Sequence, residues 1–331
     1  MAKGCSPSIE KENVLIKAGE CTVTLYPRLG GKIASIRVED QELLQAPLSP
    51  PTPRTRTMPF DAGDASGWDE CLPSVAACTL QTGSRQAEIP DHGDLWRVEW
   101  TMGEAGPGGR EEAGTPAIES SVTLLGQCFS LPLKLERTIS LSESLGRWLL
   151  RLDYKLTNTG KETVPWSWAA HPLFAAESGD RIVLPDSIHS LRLEGSGGQR
   201  LGASGDTIAW PIATLADGSR SDLSIAQAPE SGIGDKLFAG PLSPSESWCA
   251  LERPSAGIRI RVRFDSSSTP YLGLWICYGG WPDRTGPKQV CVALEPSTAP
   301  VDSLAQIGPW SRFLDSGQSC SWPMFLDLEP I

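Results

Sequence analysis

Apolar and polar residues alternate one by one in short runs along this chain, and no stretch shows an amphipathic helix longer than three turns. Cys21 to Leu25, Lys32 to Val38, Leu133 to Leu141 and Ile258 to Phe264 each put their apolar residues on one side of an extended backbone, as half-buried antiparallel strands do. Trp148 to Leu156 alternates in the same way and stops at the turn signal Thr157-Asn158-Thr159-Gly160, with another strand expected from Val164. The 33 glycines and 28 prolines fall between such runs, which predicts an all-β protein among the sandwiches or barrels. The segments Ala46 to Pro59 and Gly103 to Pro116 read as exposed loops, because strand patterning resumes unchanged after each. A single domain over 1–331 is therefore expected, with 1–12 as a flexible tail.

Charge and composition narrow the partners. A formal net charge of −11 disfavours phosphate backbones and anionic lipid surfaces, so neither nucleic acid nor membrane is expected as a partner. No apolar run is long enough to span a bilayer, and the polar start Met1-Ala2-Lys3-Gly4-Cys5 lacks the apolar stretch of a secretory signal, so the expected location is the cytoplasm. Nine scattered cysteines without a Cys-x-x-Cys pair read as reduced, mostly buried thiols, and only three histidines are present, so neither a metal site nor a disulfide framework is expected. Twelve tryptophans read first as core, although their faces also suit sugar rings.

Two of the three histidines occupy distinctive settings. His171 follows the strand-like Val164 to Ala170 and precedes Pro172, which is expected to end the strand and leave the imidazole at a rim; a buried histidine satisfied by a carbonyl is the competing reading. Glu295 ends the apolar run Val290 to Leu294 before Pro296, which is again expected to close the strand, and partial desolvation at that junction would make it a better base near neutrality, unless it merely pairs with an arginine. His92 sits in a loop-like Asp91-His92-Gly93-Asp94, where either aspartate could fix its tautomer, while His189 has no comparable neighbours and reads as structural or surface. Asp235, Asp69 and Glu70 are carboxylates flanked by glycine and aromatics, suited either to accepting sugar hydroxyls or to turn chemistry. Signatures of serine hydrolases, phosphate-binding loops, dinucleotide sites and zinc helices are absent, leaving cofactor-free proton transfer.

Taken in order, Pro27 to Ile33, His92-Gly93, His171-Pro172-Leu173-Phe174, Asp235-Lys236-Leu237-Phe238 and Leu294-Glu295-Pro296 resemble the aldose 1-epimerase (galactose mutarotase-like) family, from about residue 14 to the end. That resemblance implies a large antiparallel β-sandwich with an open carbohydrate cleft, needing no cofactor and no metal. It implies Glu295 as base and protonated His171 as acid, opening and reclosing the ring of a free aldose, with His92 and Asp235 binding the sugar. The asparagine–arginine pair that better-known members carry ahead of the first histidine has no counterpart here; Trp68, Asp69 and Glu70 stand in its place, and as acids they would accept hydroxyls of a neutral sugar but repel a sugar phosphate. The expected partner is a small-molecule sugar, and the expected assembly a monomer or weak dimer. Two further readings stay open: a carbohydrate-binding protein that keeps the cleft without turnover, and a glycoside hydrolase using Asp69 and Glu295.

Overall fold

A computed structural model of the chain describes residues 13–82, 85–103 and 120–331. The tail expected at 1–12 and most of the loop expected from Gly103 to Pro116 lie outside the described residues. The regular structure of the described chain is almost wholly antiparallel strand, arranged as a β-sandwich whose main layers are an 11-stranded and an 8-stranded sheet. Cys21–Tyr26, Lys32–Val38, Leu133–Ser144, Arg147–Asn158 and Ile258–Phe264 are strands, as the alternation predicts, whereas the run from Val164 to Ala170 divides into Val164–Trp166, in a small two-stranded sheet, and the start of Ala169–Ala175 in the larger sheet. No helix among the described residues is long and apolar enough to cross a membrane.

The centre of the larger sheet runs in the order Trp68–Cys71, Ala169–Ala175, Val290–Ser297, Tyr271–Tyr278, Ile233–Ala239. One face carries Ala170, Phe174, Leu237, Leu272, Leu274, Ile276, Val292 and Leu294 into the main core, where they meet Leu133, Leu135, Leu150, Leu152, Met324 and Leu326 from the smaller sheet. Burying each such aliphatic side chain contributes about 1.5–3 kcal/mol, so the alternation itself drives the layers together. The opposite face of these strands carries the polar residues described below.

Strict alternation also sends a charge inward. In Leu133–Ser144 the inward positions are Leu133, Leu135, Arg137, Ile139 and Leu141, all fully buried. Arg137 Nη1 donates to Glu70 Oε1 at 2.8 Å, Nη2 donates to the Gly31 carbonyl, and the guanidinium lies over Trp100 at 5.0 Å. Glu70 also accepts from the Tyr154 hydroxyl at 2.9 Å and from Trp168 Nε1 at 2.8 Å. Its carboxylate, on the larger sheet, is thus clamped by two side chains of the smaller one. Burial pushes the Glu70 carboxyl up, and Arg137, Tyr154 and Trp168 oppose that rise. Such a pair is costly to form but costlier to break, because removal of one partner strands a buried charge. Arg137→Met is predicted to lower unfolding stability by about 3–5 kcal/mol in urea titrations; a loss below about 1 kcal/mol would show that the clamp carries no weight.

Candidate active site

The two expected proline stops do not end their strands. Ala169–Ala175 runs through Pro172 and Val290–Ser297 runs through Pro296. The register pairs Ala169 with Ser297 and Leu173 with Ala293 and leaves the stretch between unpaired across these two strands, while Pro172 still pairs with Trp68 and Pro296 with Leu272 on their other sides. Both prolines fall in that gap, where a missing N–H costs nothing. The same register sets His171 directly opposite Glu295, so both side chains leave one face of the sheet. His171 Nε2 lies 3.8 Å from Glu295 Oε1, and both side chains are buried.

Two strands further along the sheet, Lys236 pairs with Trp275 and reaches the same face. Its ammonium is in hydrogen-bond contact with Glu295 Oε2 and lies 3.7 Å from Asp302 Oδ1. Gly273, the neighbour of Glu295 on the intervening strand, makes the contact possible. A Cβ there would stand 3.0 Å from Glu295 Oε2 and 3.2 Å from the Phe238 ring. Loops and the strand residue Trp275 supply the remaining walls. His92 stacks on Phe60 with centroids 3.8 Å apart and planes 7° apart. His171 meets His92 edge-on at 5.1 Å and Phe60 edge-on at 5.6 Å. Trp281 stands 6.1 Å from Phe60, and Trp275 is fixed by donating Nε1 to Gln289 Oε1 at 3.0 Å. Together with Asp91, Val75 and Ala76 these residues line a cavity of about 170 Å³.

Local backbone chemistry explains how His92 gets there. Its φ is +58°, a conformation that costs a non-glycine residue about 1–3 kcal/mol unless its surroundings enforce it. Here the His92 N–H donates to the Val75 carbonyl at 2.5 Å, and Gly93, with φ +69°, comes so close to Leu72 that a Cβ would strike its carbonyl. Asp91 Oδ2 lies 2.9 Å from His92 Nδ1, whereas Asp94 turns away to accept from the Phe129 and Ser130 N–H groups and the Ser130 hydroxyl. Of the two aspartates weighed as tautomer partners, only Asp91 is in place.

Of the seven sequence-predicted site residues, the structure brings Glu295, His171 and His92 together at this cleft and leaves Trp68, Asp69, Glu70 and Asp235 outside its lining. Trp68 and Glu70 point to the core face, Trp68 into apolar packing and Glu70 into the Arg137 clamp. Asp69 pairs in register with His171 but is capped: Lys32 Nζ lies 2.8 Å from Oδ2 and Arg54 Nη1 3.1 Å from Oδ1. Asp235 is fully buried on the core side, where Ser196 Oγ donates to it at 2.6 Å and Arg200 Nε at 2.9 Å. Its chain neighbour Lys236 takes the cleft face, because successive residues of a strand point opposite ways. Lys236, Asp302, Phe60 and Trp281 are lining residues that the sequence reading missed; only Lys236, inside the quoted Asp235-Lys236-Leu237-Phe238 segment, left a signal. The hydrolase pair of Asp69 and Glu295 is not assembled, since Lys32 and Arg54 occupy the Asp69 carboxylate.

Electrostatics set the resting state. Burial, reinforced by the electrostatic influence of His92, Lys236 and Lys32, holds His171 well below the usual histidine range, so it is neutral at pH 7. Burial pushes Glu295 up, Lys236 pulls it back, and Asp302 adds to the rise. Burial works against the Lys236 charge, but Glu295 and Asp302 outweigh it and raise the ammonium above the usual lysine range. Glu295 Oε1, His171 Nδ1 and Asp302 Oδ1 are buried without a hydrogen-bond partner among the described residues. All three residues line the same cavity, and a polyhydroxylated ligand brings the donors and acceptors that such polar side chains lack. No group of three or more His, Cys, Asp or Glu that could hold a metal occurs among the described residues.

No family model matches the sequence, and no curated protein matches it. Solved structures do match over nearly the whole chain. The Slr1438 protein of Synechocystis sp. PCC 6803 is 15% identical with a TM-score of 0.70, covering 97% of this chain and 96% of its own. A galactose mutarotase-like protein of Lactobacillus casei is 15% identical with a TM-score of 0.63, covering 96% and 100%. The GalM/aldose epimerase homologue of C. elegans is 12% identical with a TM-score of 0.62, covering 97% and 100%. The fold is that of the galactose mutarotase-like sandwiches, as the resemblance in the sequence implies.

The buried imidazole yields a stability prediction. His171 has a lower proton affinity folded than unfolded, so the unfolded chain protonates first as the pH falls. The stability carried by the neutral ring is complete above the unfolded value of about 6.5 and is lost as the pH drops from there toward the depressed native value. Below about pH 6.5 the Tm of the parent should fall more steeply than that of His171→Gln. Parallel curves would contradict a neutral buried His171.

Proposed function

We propose that this chain is an aldose 1-epimerase-type isomerase that interconverts the anomers of a free, non-phosphorylated aldose. The observation that carries the proposal is the free Glu295 Oε1 set 3.8 Å from His171 Nε2 at the floor of a cleft walled by aromatic rings. Rings such as Phe60 and Trp281 offer the apolar surface that covers the C–H face of a pyranose. The fixed carboxylates Asp91, Glu295 and Asp302 outnumber the single lysine, which disfavours a phosphorylated sugar.

In the proposed reaction Glu295 Oε1 takes the proton of the anomeric hydroxyl. The bond from C1 to the ring oxygen breaks, and the ring oxygen takes a proton from the imidazolium of His171. Rotation about the C1–C2 bond exposes the other face of the aldehyde. Closure then reverses both transfers, so protons and electrons balance without a cofactor. Because His171 rests neutral, its acid form is a minor species at pH 7, and turnover should climb as the pH falls from about 8 to 6 while Glu295 remains ionised.

Anomer exchange followed by NMR on freshly dissolved sugars tests the reading. The parent should accelerate exchange of at least one neutral aldose, and Glu295→Gln should cut that rate by about 10²–10⁴-fold. No acceleration for any sugar, or a Glu295→Gln variant equal to the parent, overturns it. A second reading, a sugar-binding protein without turnover, is favoured by the neutral resting state of His171 and by the engagement of Glu295 with Lys236. Calorimetric binding of a sugar to a parent that shows no exchange would select it.

A further inference from the structure

We propose that Lys236 is a positioning residue that keeps Glu295 a carboxylate with one oxygen free, so that this buried group can act as a base. The inference rests on the proposed isomerase reading for its catalytic part. Its structural part stands on geometry alone.

Glu295 has 1% of its side chain exposed, an environment in which an isolated carboxyl takes up a proton rather than remain charged. The groups facing it come from every neighbouring element. His171 lies across the strand pair and rests neutral. Cys71 lies on the strand beyond it, and Cys291 precedes Glu295 on its own strand; burial keeps both thiols protonated. His92 stands on the loop wall, and Asp302 brings a second carboxylate. Among these, Lys236 is the fixed positive charge in contact, and Asp302 is a like charge that works against ionisation.

The contact is also directional. Lys236 engages Oε2 alone, so it compensates the charge from one side while Oε1, 3.8 Å from His171 Nε2, keeps no hydrogen-bond partner among the described residues. Two features of the sheet fit that role. Gly273 leaves the gap between the strands open for the Lys236 side chain to meet Glu295, and the pairing of Lys236 with Trp275 fixes where the lysine stem begins. An alanine at Gly273 would crowd Glu295 Oε2, the oxygen that Lys236 holds.

The test has one readout that needs no turnover and one that does. Infrared difference spectra between Lys236→Met and Lys236→Met/Glu295→Gln at pH 7 should show a protonated-carboxyl stretch. The difference between the parent and Glu295→Gln should show only carboxylate. In pH profiles of kcat/KM, the acidic limb assigned to Glu295 should move up by at least about one pH unit in Lys236→Met and return toward the parent in Lys236→Arg. If Lys236→Met does not fold, Lys236→Gln, which keeps a donor and loses the charge, carries the same comparison. A carboxylate-only spectrum in the charge-removed variant, or an unmoved limb in an active one, overturns the proposal. A parent without exchange activity whose spectra change as stated would overturn the isomerase reading and leave the role of Lys236 standing.

Discussion

The register between Ala169–Ala175 and Val290–Ser297 is the constraint on which the site depends. It sets His171 opposite Glu295 across a stretch where two prolines interrupt the ladder. A slip of one residue would turn one of the two strands over, sending the imidazole or the carboxylate into the apolar layer and Phe174 or Leu294 out of it. The hydrophobic core between the sheets therefore fixes the chemistry on the far face. Every aliphatic side chain that must stay inside holds the polar pair outside.

Buried ion pairs make that arrangement rigid at its edges. Glu70, clamped by Arg137, Tyr154 and Trp168, joins the two sheets beneath the strand that neighbours His171. On the cleft face of that strand, Asp69 is held by Lys32 and Arg54, and Arg54 also bridges to Asp64 at 2.8 Å. Arg54 belongs to the segment Ala46 to Pro59, so this network ties an otherwise largely exposed loop to the sheet and fixes the approach to Phe60, the ring on which His92 stacks. Charges that a sequence reading assigns to the ligand are thereby spent on holding the frame that shapes the cleft.

Much of the fold was legible in the sequence because alternation is a local property. The strands Lys32–Val38 and Ile258–Phe264 have the bounds that the pattern predicts. What was not legible depends on distant partners. Nothing near Pro172 or Pro296 announces that the neighbouring strand parts at the same place, so both were read as stops. Arg137 stands in an inward position of a clean alternating run, but only the presence of Glu70 on another strand makes it a core residue. Phase decided the remainder: Asp235 and Lys236 are adjacent in the chain and lie on opposite faces, and a motif of four residues does not say which one faces the cleft. His171, Glu295 and His92 were legible as unusual residues in unusual settings, whereas their meeting at one cavity required the long-range pairing.

The cleft that results joins a neutral buried imidazole, a carboxylate with one free oxygen and a wall of aromatic rings in a volume of about 170 Å³. In the proposed reaction one sugar ring lies there with its anomeric hydroxyl on Glu295 and its ring oxygen toward His171. A crystal structure of Glu295→Gln grown with a mixture of neutral aldoses tests it most directly. The expected result is a single pyranose against Phe60 and Trp281, its anomeric oxygen within hydrogen-bond reach of residue 295 and its ring oxygen facing residue 171. An empty cleft at saturating sugar, or a ring bound with its anomeric carbon turned away from both residues, would contradict it.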